Sequence, residues 1–331
     1  MGKIKKTVIN TAFLENMMTQ QLVTIFGGSG FVGTTLVEHL AKRGLRVRVA
    51  VRRPNSALHV KPLGDVGQIQ IVQANLRDEA SVRAAVRGSD AVVNLAGILF
   101  ESGAQKFKAV HAKGAALVAR ACADFGVGKL VHMSAIGANE DSPSNYARSK
   151  AEGEKAVMAA FPEATIIRPS VIFGPMDHLF NRFAQVASLP IVPVFSGNTK
   201  FQPVYVGDVA EAIAMAVTNK DMQGEVYELG GADIYSLREM MQLAAKEAMQ
   251  APWFVDVPDF IAPFKVFFLG MLPNPPITLD QLKMLKSDNV VDDDAKGLSD
   301  LGITPTLVEA MLPAYLHHYR PKGQFAEHVN G

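Results

Sequence analysis

Four glycines follow directly on an apolar run near the start of the chain and constrain its fold more than any other feature. The stretch LVTIFGGSGFVG, residues 22–33, places Gly27, Gly28, Gly30 and Gly33 behind a strand-like segment. Glycines at such a junction either make a tight turn into a helix or let the main chain approach a ligand closely. The order of the segments that follow decides between these two interpretations.

Short segments rich in valine and isoleucine alternate with amphipathic segments over the first half of the chain. This alternation predicts an α/β protein with a Rossmann-type, doubly wound parallel sheet. The predicted strands are Leu22–Phe26, Val47–Val51, Ile69–Gln73, Ala91–Leu95, Lys129–Ser134 and Thr165–Arg168. The predicted helices are Phe31–Arg43, Glu79–Val86, Lys106–Phe125 and Tyr146–Ala160.

In a sheet of this kind, the first turn from strand to helix binds the pyrophosphate of a dinucleotide against free N–H groups. The spacing G-x-x-G-x-x-G fits this role, because Gly27 and Gly30 would admit phosphate oxygens and Gly33 would let the helix pack on the strand. A plain tight turn is the alternative. The residues predicted to line the coenzyme here are Gly27, Gly28, Ser29, Gly30, Phe31, Val32 and Gly33.

The end of the second predicted strand indicates which coenzyme binds. It reads VAVRRPN, with Arg52 and Arg53 and without the carboxylate that binds the ribose 2′-hydroxyl of NAD. Guanidinium groups suit a 2′-phosphate, so NADP(H) is favoured over NAD(H). If both arginines are only solvated at the end of the strand, the choice between NADP(H) and NAD(H) stays open. Further coenzyme contacts are predicted after the third and fourth strands, at Asn75, Leu76, Ala96 and Gly97.

The segment SNYARSKAEGEK places Tyr146 and Lys150 four residues apart, on one face of a predicted helix. Ser134 ends the preceding strand, so we expect all three side chains at the carboxyl edge of the sheet, beside the nicotinamide. Such a set suits hydride transfer between a carbonyl and an alcohol: Tyr146 exchanges the proton and Ser134 orients the oxygen. Lys150 holds the ribose and, together with a nicotinamide cation, lowers the pKa of the tyrosine. The alternative is that Tyr146 is a surface residue at the start of its helix and that Ser134 only caps the end of its strand.

Composition and charge argue against several other functions. The formal net charge is +1 and no run of five like charges occurs, so nothing indicates a nucleic-acid partner. The single cysteine forms no intrachain disulfide, and no ligand spacing indicates a metal site. No apolar stretch reaches the length of a membrane span. The apolar residues 260–272 are predicted either to pack over the cleft or to face a membrane, a large complex or a hydrophobic substrate.

Proline and glycine become frequent after Pro169, which predicts a change of organisation there. We expect an NAD(P)-binding domain over residues 20–170 and a smaller, substrate-side region over residues 171–331. Within that region, a strand and helix over about residues 201–220 are predicted to return to the main sheet. Residues 1–19 are expected to be a disordered extension, and an upstream start site is the alternative, because Met17 and Met18 lie just ahead of the first strand.

A few further polar residues have predicted roles. His132 lies within a predicted strand and is expected to be a core histidine with satisfied hydrogen bonds. His111, Asp177 and His178 are candidates for ligand contact, and Asp208 is predicted to cap a helix.

These motifs, in this order, resemble the extended or atypical short-chain dehydrogenases/reductases. The resemblance covers residues 22–245 and rests on GGSGFVG, VVNLAG, SAIGA with YARSK, RPSVIFGP and FQPVYVGDVAEAI. It implies that Ser134, Tyr146 and Lys150 occupy catalytic positions. The coenzyme contacts that come with RPSVIFGP are Pro169, Ser170 and Val171. Phe173 stands where sugar-nucleotide epimerases often carry tyrosine, which weakens a sugar-nucleotide assignment.

More narrowly, VRRP, QANLRD, GILFES, NRFAQ and FQPVYVGDVA resemble the NAD(P)H-binding accessory subunits of respiratory complex I. That resemblance implies a tightly held NADPH and attachment to complex I beside the membrane. It predicts a cytoplasmic protein, with peripheral contact to the inner face of the energy-transducing membrane. The favoured hypothesis is thus an accessory or assembly subunit. The alternatives are an active NADPH-dependent reductase, dehydrogenase or epimerase for a hydrophobic or quinone-like carbonyl, and a non-catalytic redox sensor.

Overall fold

The computed structural model describes residues 21–258 and 278–321. Its strands are β1 Leu22–Phe26, β2 Arg46–Val51, β3 Ile69–Gln73, β4 Ala91–Asn94, β5 Lys129–Met133, β6 Thr165–Pro169, β7 Ile172–Phe173, β8 Ile191–Phe195, β9 Lys200–Phe201, β10 Val204–Tyr205, β11 Val226–Leu229, β12 Tyr235–Ser236 and β13 Trp253–Val257. Its α-helices are α1 Phe31–Lys42, α2 Glu79–Val86, α3 Ala115–Asp124, α4 Asn145–Ala160, α5 Phe180–Val186, α6 Val206–Thr218, α7 Leu237–Glu247, α8 Leu279–Met284 and α9 Val308–Leu316.

The main sheet has seven strands in the order β11-β6-β5-β4-β1-β2-β3, and every neighbouring pair is parallel. The chain runs outward from β1 to β3 and then crosses back to β4. This is the order of a Rossmann-type, doubly wound sheet, so the predicted fold class is confirmed. The reversal between β1 and β4 leaves a crevice at the carboxyl ends of these strands, where such sheets bind ligands.

Helices cover both faces of this sheet, which explains why β1 is buried along its whole length. On one face, α1 and α6 pack through fully buried side chains such as Leu36, Leu40 and Ile213. On the other face, α2, α3 and α4 pack through a second core that includes Val82 and Val118. The two cores hold the carboxyl ends of β1, β4 and β5 in fixed positions, and these ends carry the predicted site.

The long helix predicted over Lys106–Phe125 begins with a wide π-helical turn, Lys108–Gly114, before the regular helix α3. Turns of this kind are frequent at functional sites. Here the turn lies close against α4, because a Cβ atom placed on Gly153 would lie 2.3 Å from the main-chain oxygen of His111. The turn thereby brings His111 beside the helix that carries Tyr146.

The segment predicted to return to the main sheet, about residues 201–220, does so only through its helix. β10 pairs with β7 and β9 pairs with β12 in small separate sheets, whereas α6 packs on the main sheet. The strand that extends the main sheet is β11, which the sequence analysis did not predict. Glu228 interrupts the apolar pattern of β11, and its carboxylate forms an ion pair with Arg168 on the neighbouring strand β6.

The remaining small sheet pairs β8 with β13, and a third core forms around Phe173, Phe180, Met240 and Leu312. The proposed limits of the two regions, at residues 170 and 171, stay a prediction. Two further predictions, the extension over residues 1–19 and the apolar stretch over residues 260–272, lie outside the described residues. Among the helices that are described, none has the length and apolar character needed to cross a bilayer.

Candidate functional site

The glycine turn between β1 and α1 folds tightly against itself. Gly27 has a φ of 81° and accepts a hydrogen bond from the N–H of Gly30 at 3.0 Å. A Cβ atom on Gly33 would lie 2.4 Å from the oxygen of Gly27, so only glycine fits where α1 passes the turn. Gly30 is the N-cap residue of α1 and has no side chain to cap the helix. The first N–H groups of α1 are therefore available to an anion.

The structure gives the other glycines a role in packing as well. A Cβ atom on Gly27 would lie 3.2 Å from the main chain of Leu95 and Ala96, at the end of β4. One on Gly28 would lie 3.1 Å from Val49. The absent side chain of Gly27 therefore lets the turn approach β4. Its predicted contact with phosphate oxygens stays a prediction.

The remaining residues of the turn differ in exposure. Ser29 and Phe31 are half-buried, and Val32 is buried in the core. The ring of Phe31 lies close to Gly174, since a Cβ atom on that glycine would be 3.4 Å from the Phe31 Cζ. Phe31 therefore links the turn to the segment after β7.

Arg52 and Arg53 follow β2 directly and are both exposed. The oxygen of Arg53 accepts hydrogen bonds from the Ser56 N–H at 3.1 Å and from its hydroxyl at 2.8 Å, which fixes the turn after the strand. Across residues 21–258 and 278–321, neither guanidinium group has a hydrogen bond or an ion pair to another side chain. Both groups are thus available to an anion.

The two coenzyme contacts predicted after β3, Asn75 and Leu76, differ in their surroundings. Asn75 is half-buried, and its Oδ1 atom accepts a hydrogen bond from the Arg77 N–H at 3.2 Å. Leu76 is buried in the second core, where a Cβ atom on Gly114 would lie 3.0 Å from its own Cβ. The side chain of Leu76 thus packs inside the protein rather than facing an open cleft.

The predicted contacts after β4 lie at the crevice. Ala96 is half-buried and Gly97 is exposed, just beyond the carboxyl end of that strand. A Cβ atom on Gly97 would make an ordinary contact, at 3.6 Å, with His111 Nε2. These two residues remain candidates for lining the coenzyme.

The segment Pro169–Val171 continues from β6 into the crevice, but the polar groups of Ser170 are already engaged. Its N–H donates to the oxygen of Leu229 at 2.9 Å, and its hydroxyl contacts the main-chain oxygen and the Oδ1 atom of Asn289, at 2.9 and 2.8 Å. The Ser170 side chain therefore holds the C-terminal part of the chain in place. No sequence signal pointed to Asn289, which lies 119 residues away.

Ser134, Tyr146 and Lys150 lie at the carboxyl end of β5 and the start of α4, as expected. The Nζ atom of Lys150 donates to the oxygen of Met133 at 2.8 Å, immediately before Ser134. The Ser134 hydroxyl is buried and has no hydrogen-bond partner in the described part of the chain. Such an orphaned polar group is costly unless a ligand satisfies it, which fits a site for a coenzyme or substrate.

Burial shifts the pKa values of both titratable members of this set. It raises the pKa of Tyr146 to about 12 and lowers the pKa of Lys150 to about 8, although the nearby Glu154 carboxylate opposes the second shift. The lowered tyrosine pKa predicted from the sequence is therefore not a property of the chain by itself. A lower value has to come from the charge of a bound nicotinamide.

His111 is a structural residue rather than a free ligand contact. Its Nε2 atom accepts a hydrogen bond from the Ile98 N–H at 3.0 Å, and its Nδ1 atom lies 2.8 Å from the Ser149 hydroxyl oxygen. Its ring stacks on Phe107 and meets Tyr146 edge-on, with centroids 5.5 and 5.4 Å apart. Desolvation, with the Lys150 charge, lowers the pKa of His111 to about 3.

Three other polar residues also have structural roles. His132 is buried in β5, as predicted. Asp177 is buried and accepts a hydrogen bond from the Tyr315 hydroxyl at 2.7 Å, so it anchors α9 and does not face a ligand. Asp208 lies inside the first turn of α6 and binds the N–H of Thr306 at 2.7 Å, so its predicted role as a helix cap is wrong.

The sequence analysis missed Asp280, which reaches the start of α4 from a distant part of the chain. Its carboxylate accepts hydrogen bonds from Ser144, Asn145 and Tyr146. No spacing or motif pointed to this contact, because 134 residues separate Asp280 from Tyr146.

Comparisons with known proteins agree with this geometry. A model of the NAD dependent epimerase/dehydratase family matches residues 23–230. The chain is 35% identical over 318 residues to NADH dehydrogenase (ubiquinone) 1 alpha subcomplex subunit 9, mitochondrial, of Arabidopsis thaliana, covering 91% of this chain and 79% of that protein. It is 33% identical over 241 residues to a ceramide reductase of Caulobacter vibrioides, covering 72% and 74%.

The fold is also shared with a solved structure, the NADPH-dependent quinone oxidoreductase QOR2 of Escherichia coli complexed with NADPH. The TM-score is 0.70 at 21% identity, and the match covers 88% of this chain and 99% of that chain. The resemblance inferred from the sequence motifs is thus confirmed at the level of family and fold.

Proposed function

The chain belongs to the NAD dependent epimerase/dehydratase family, and from this premise we propose that it is an NADP(H)-binding accessory or assembly subunit of NADH:ubiquinone oxidoreductase, respiratory complex I. The observation that carries the proposal is the extent of the similarity to subunit 9. That similarity covers 91% of the chain and so continues past the coenzyme-binding half into the C-terminal region. A shared coenzyme domain alone would leave that region dissimilar.

The described residues support a coenzyme laid across the carboxyl edge of the sheet. The uncapped start of α1 would bind the pyrophosphate, and the unpaired guanidinium groups of Arg52 and Arg53 would bind a 2′-phosphate. Their charge is why we propose NADP(H) in preference to NAD(H). At the other end, Lys150 would hold the nicotinamide ribose, next to the buried hydroxyl of Ser134.

A bound coenzyme would supply hydride-transfer chemistry, or it would serve as a structural element whose contacts depend on its redox state. The chain itself would keep Tyr146 protonated over the physiological range, since burial raises the pKa of this residue to about 12. A protonated phenol donates a hydrogen bond or a proton, which suits the reduction of a carbonyl rather than the oxidation of an alcohol.

We propose that the protein acts on the cytoplasmic side, attached peripherally to the inner face of the energy-transducing membrane through complex I. Purification of tagged protein from gently solubilised membranes tests this. We expect co-sedimentation with complex I and release of NADP(H) on denaturation, identified by mass spectrometry. Recovery of all the protein free of complex I would contradict the proposal. A Tyr146→Phe variant should keep both properties, because the phenol oxygen takes no part in either.

A second candidate is an active NADPH-dependent reductase, dehydrogenase or epimerase that uses Ser134, Tyr146 and Lys150 on a hydrophobic or quinone-like carbonyl. The unpartnered Ser134 hydroxyl favours it, as does the 33% identity to a ceramide reductase. On this hypothesis Tyr146→Phe abolishes NADPH oxidation while NADPH affinity is kept. Tyr319→Phe is the matched control, because that hydroxyl bonds Asn181 and none of Ser134, Tyr146 and Lys150. Equal rates for Tyr146→Phe and the wild type would rule out this role.

A further inference from the structure

The carboxylate of Asp280 binds the first turn of α4, the helix that carries Tyr146 and Lys150. We propose that Asp280 is a positioning residue, which holds α4 so that the nicotinamide half of the coenzyme is bound. The inference rests on the proposed coenzyme function and adds a residue from the C-terminal region to the site.

Three hydrogen bonds define the contact. Asp280 Oδ1 accepts from the N–H of Asn145 at 2.7 Å, and Oδ2 accepts from the N–H of Tyr146 at 3.0 Å. Oδ2 also accepts from the Ser144 hydroxyl at 2.8 Å. The first N–H groups of a helix have no partner within the helix, and the positive end of its dipole favours a carboxylate. One of these groups belongs to Tyr146 itself.

Asp280 is not needed to cap either helix. Its own helix α8 begins with a complete capping box, in which Thr278 and Gln281 each bind the other's main chain. At the start of α4, the Ser144 hydroxyl already caps the N–H of Ala147. Asp280 is therefore a second, long-range tie between α8 and α4, additional to what either helix requires.

The tie acts on the part of α4 that faces the crevice. Tyr146 is the second residue of α4 and Lys150 lies one turn further on, where its Nζ atom is fixed on Met133. Without Asp280, the N–H groups of Asn145 and Tyr146 lose their acceptor, and the Ser144 hydroxyl remains as the only cap that we find for this turn among the described residues. Fraying of this turn would move Tyr146 and loosen Lys150, whereas the glycine turn and Arg52 lie on other elements. The nicotinamide half of the coenzyme should therefore lose affinity and the adenosine half should not.

The same C-terminal segment is fixed to the crevice at a second point. Asn289 donates from Nδ2 to the oxygen of Ile136 at 3.2 Å, in the loop that follows Ser134. Its main-chain oxygen accepts from the Ser170 hydroxyl at 2.9 Å. The segment thus contacts both the β5 loop and the end of β6. This gives α8 a fixed base from which Asp280 can orient α4.

The test compares two ligands by calorimetry: NADPH, and adenosine 2′,5′-bisphosphate, which lacks the nicotinamide half. We expect Asp280→Ala to weaken NADPH binding about tenfold, in line with the loss of one helix-terminal interaction. Binding of adenosine 2′,5′-bisphosphate should change less than about twofold. Asp280→Asn keeps an acceptor oxygen and loses the charge, so it should weaken NADPH binding by less and leave the binding of adenosine 2′,5′-bisphosphate unchanged. It serves as the test if Asp280→Ala does not fold.

Asp288→Ala is the matched control. Asp288 lies in the same segment and accepts a main-chain hydrogen bond at 2.8 Å, but from Lys200 rather than from α4. We expect it to leave both affinities unchanged. Equal weakening of the two ligands by Asp280→Ala, or no weakening of either, would overturn the inference. Wild-type protein that binds neither ligand would instead refute the proposed coenzyme function.

Discussion

The Nζ atom of Lys150 lies 2.8 Å from the main-chain oxygen of Met133, the last residue of β5. This bond ties α4 to the end of a central strand and holds a cation directly beside the buried, unpartnered hydroxyl of Ser134. Both groups thus lie at the edge of the sheet where we propose that the nicotinamide end of the coenzyme is held.

Gly33 tests the geometry of the glycine turn. A methyl group there would lie 2.4 Å from the Gly27 oxygen and 2.6 Å from the Gly28 Cα atom. We expect Gly33→Ala to abolish coenzyme binding and to lower the free energy of unfolding by about 1–3 kcal/mol, the usual cost of overpacking. Gly128→Ala should leave both near wild type, because its nearest neighbour would be 3.4 Å away. Chemical denaturation and NADPH titration measure the two effects.

Arg52 and Arg53 test the coenzyme preference. Replacing both with serine removes two unpaired charges from the end of β2. NADPH affinity should fall about 10- to 100-fold, as for the loss of charge-assisted bonds worth about 1.5–3 kcal/mol, while NADH affinity stays the same. Arg77→Ser, at an exposed position after β3, should change neither. An equal loss of affinity for NADH and NADPH would show that the two arginines do not bind the 2′-phosphate.

His111 and His132 predict a pH dependence of stability. Desolvation, together with the charge of Lys150, lowers both pKa values from 6.5 to about 3. The unfolded chain therefore binds more protons below pH 6.5, and the folded state loses stability as the pH falls from about 6.5 towards 3. The slope is at most about 1.4 kcal/mol per pH unit for each histidine.

Denaturation at a series of pH values tests this dependence. His132→Phe should flatten the slope if the variant folds. His178→Gln, at an exposed position, should keep the slope of the wild type. Stability that does not change between pH 6.5 and 4.5 would contradict the assignment of two buried neutral imidazoles.

Arg168 tests the ion-pair network beneath the site. It binds Glu154 of α4 at 2.6 Å and Glu228 of β11 at 3.3 Å, and the Glu228 side chain is only 7% exposed. Arg168→Met would leave the buried Glu228 carboxylate without its ion-pair partner. We therefore expect the free energy of unfolding to fall by about 3–5 kcal/mol. Lys155→Met breaks the exposed pair with Glu140 and should cost about 0–1 kcal/mol. Similar losses for the two variants would show that the network contributes no more than a surface pair.

Much of the main sheet could be predicted from the sequence because its inner strands, such as β1 and β4, are buried on both faces. Their valine- and isoleucine-rich runs gave β1 to β6 to within one residue at each end. The strand β11 was missed, because the fragment VYEL contains a glutamate whose partners, Arg168 and the N–H of Asp292, come from distant parts of the chain. Pairing between strands distant in the chain leaves no local pattern.

The site could be predicted only in part, for the same reason. Ser134, Tyr146 and Lys150 follow from spacing within consecutive elements, and the structure brings them to one edge. Asp280 and Asn289 reach that edge from more than 100 residues away, so no motif reveals them. The raised pKa of Tyr146 depends on burial by surrounding elements, which the sequence does not specify.

The most direct test of the account is calorimetric titration of nucleotide-free protein with NADPH and, separately, with NADH. The account predicts one NADPH site per chain and weaker binding of NADH, since only NADPH carries a 2′-phosphate for the two unpaired guanidinium groups. Absence of binding heat for both coenzymes, at several temperatures, would contradict the claim that this sheet edge is a coenzyme site.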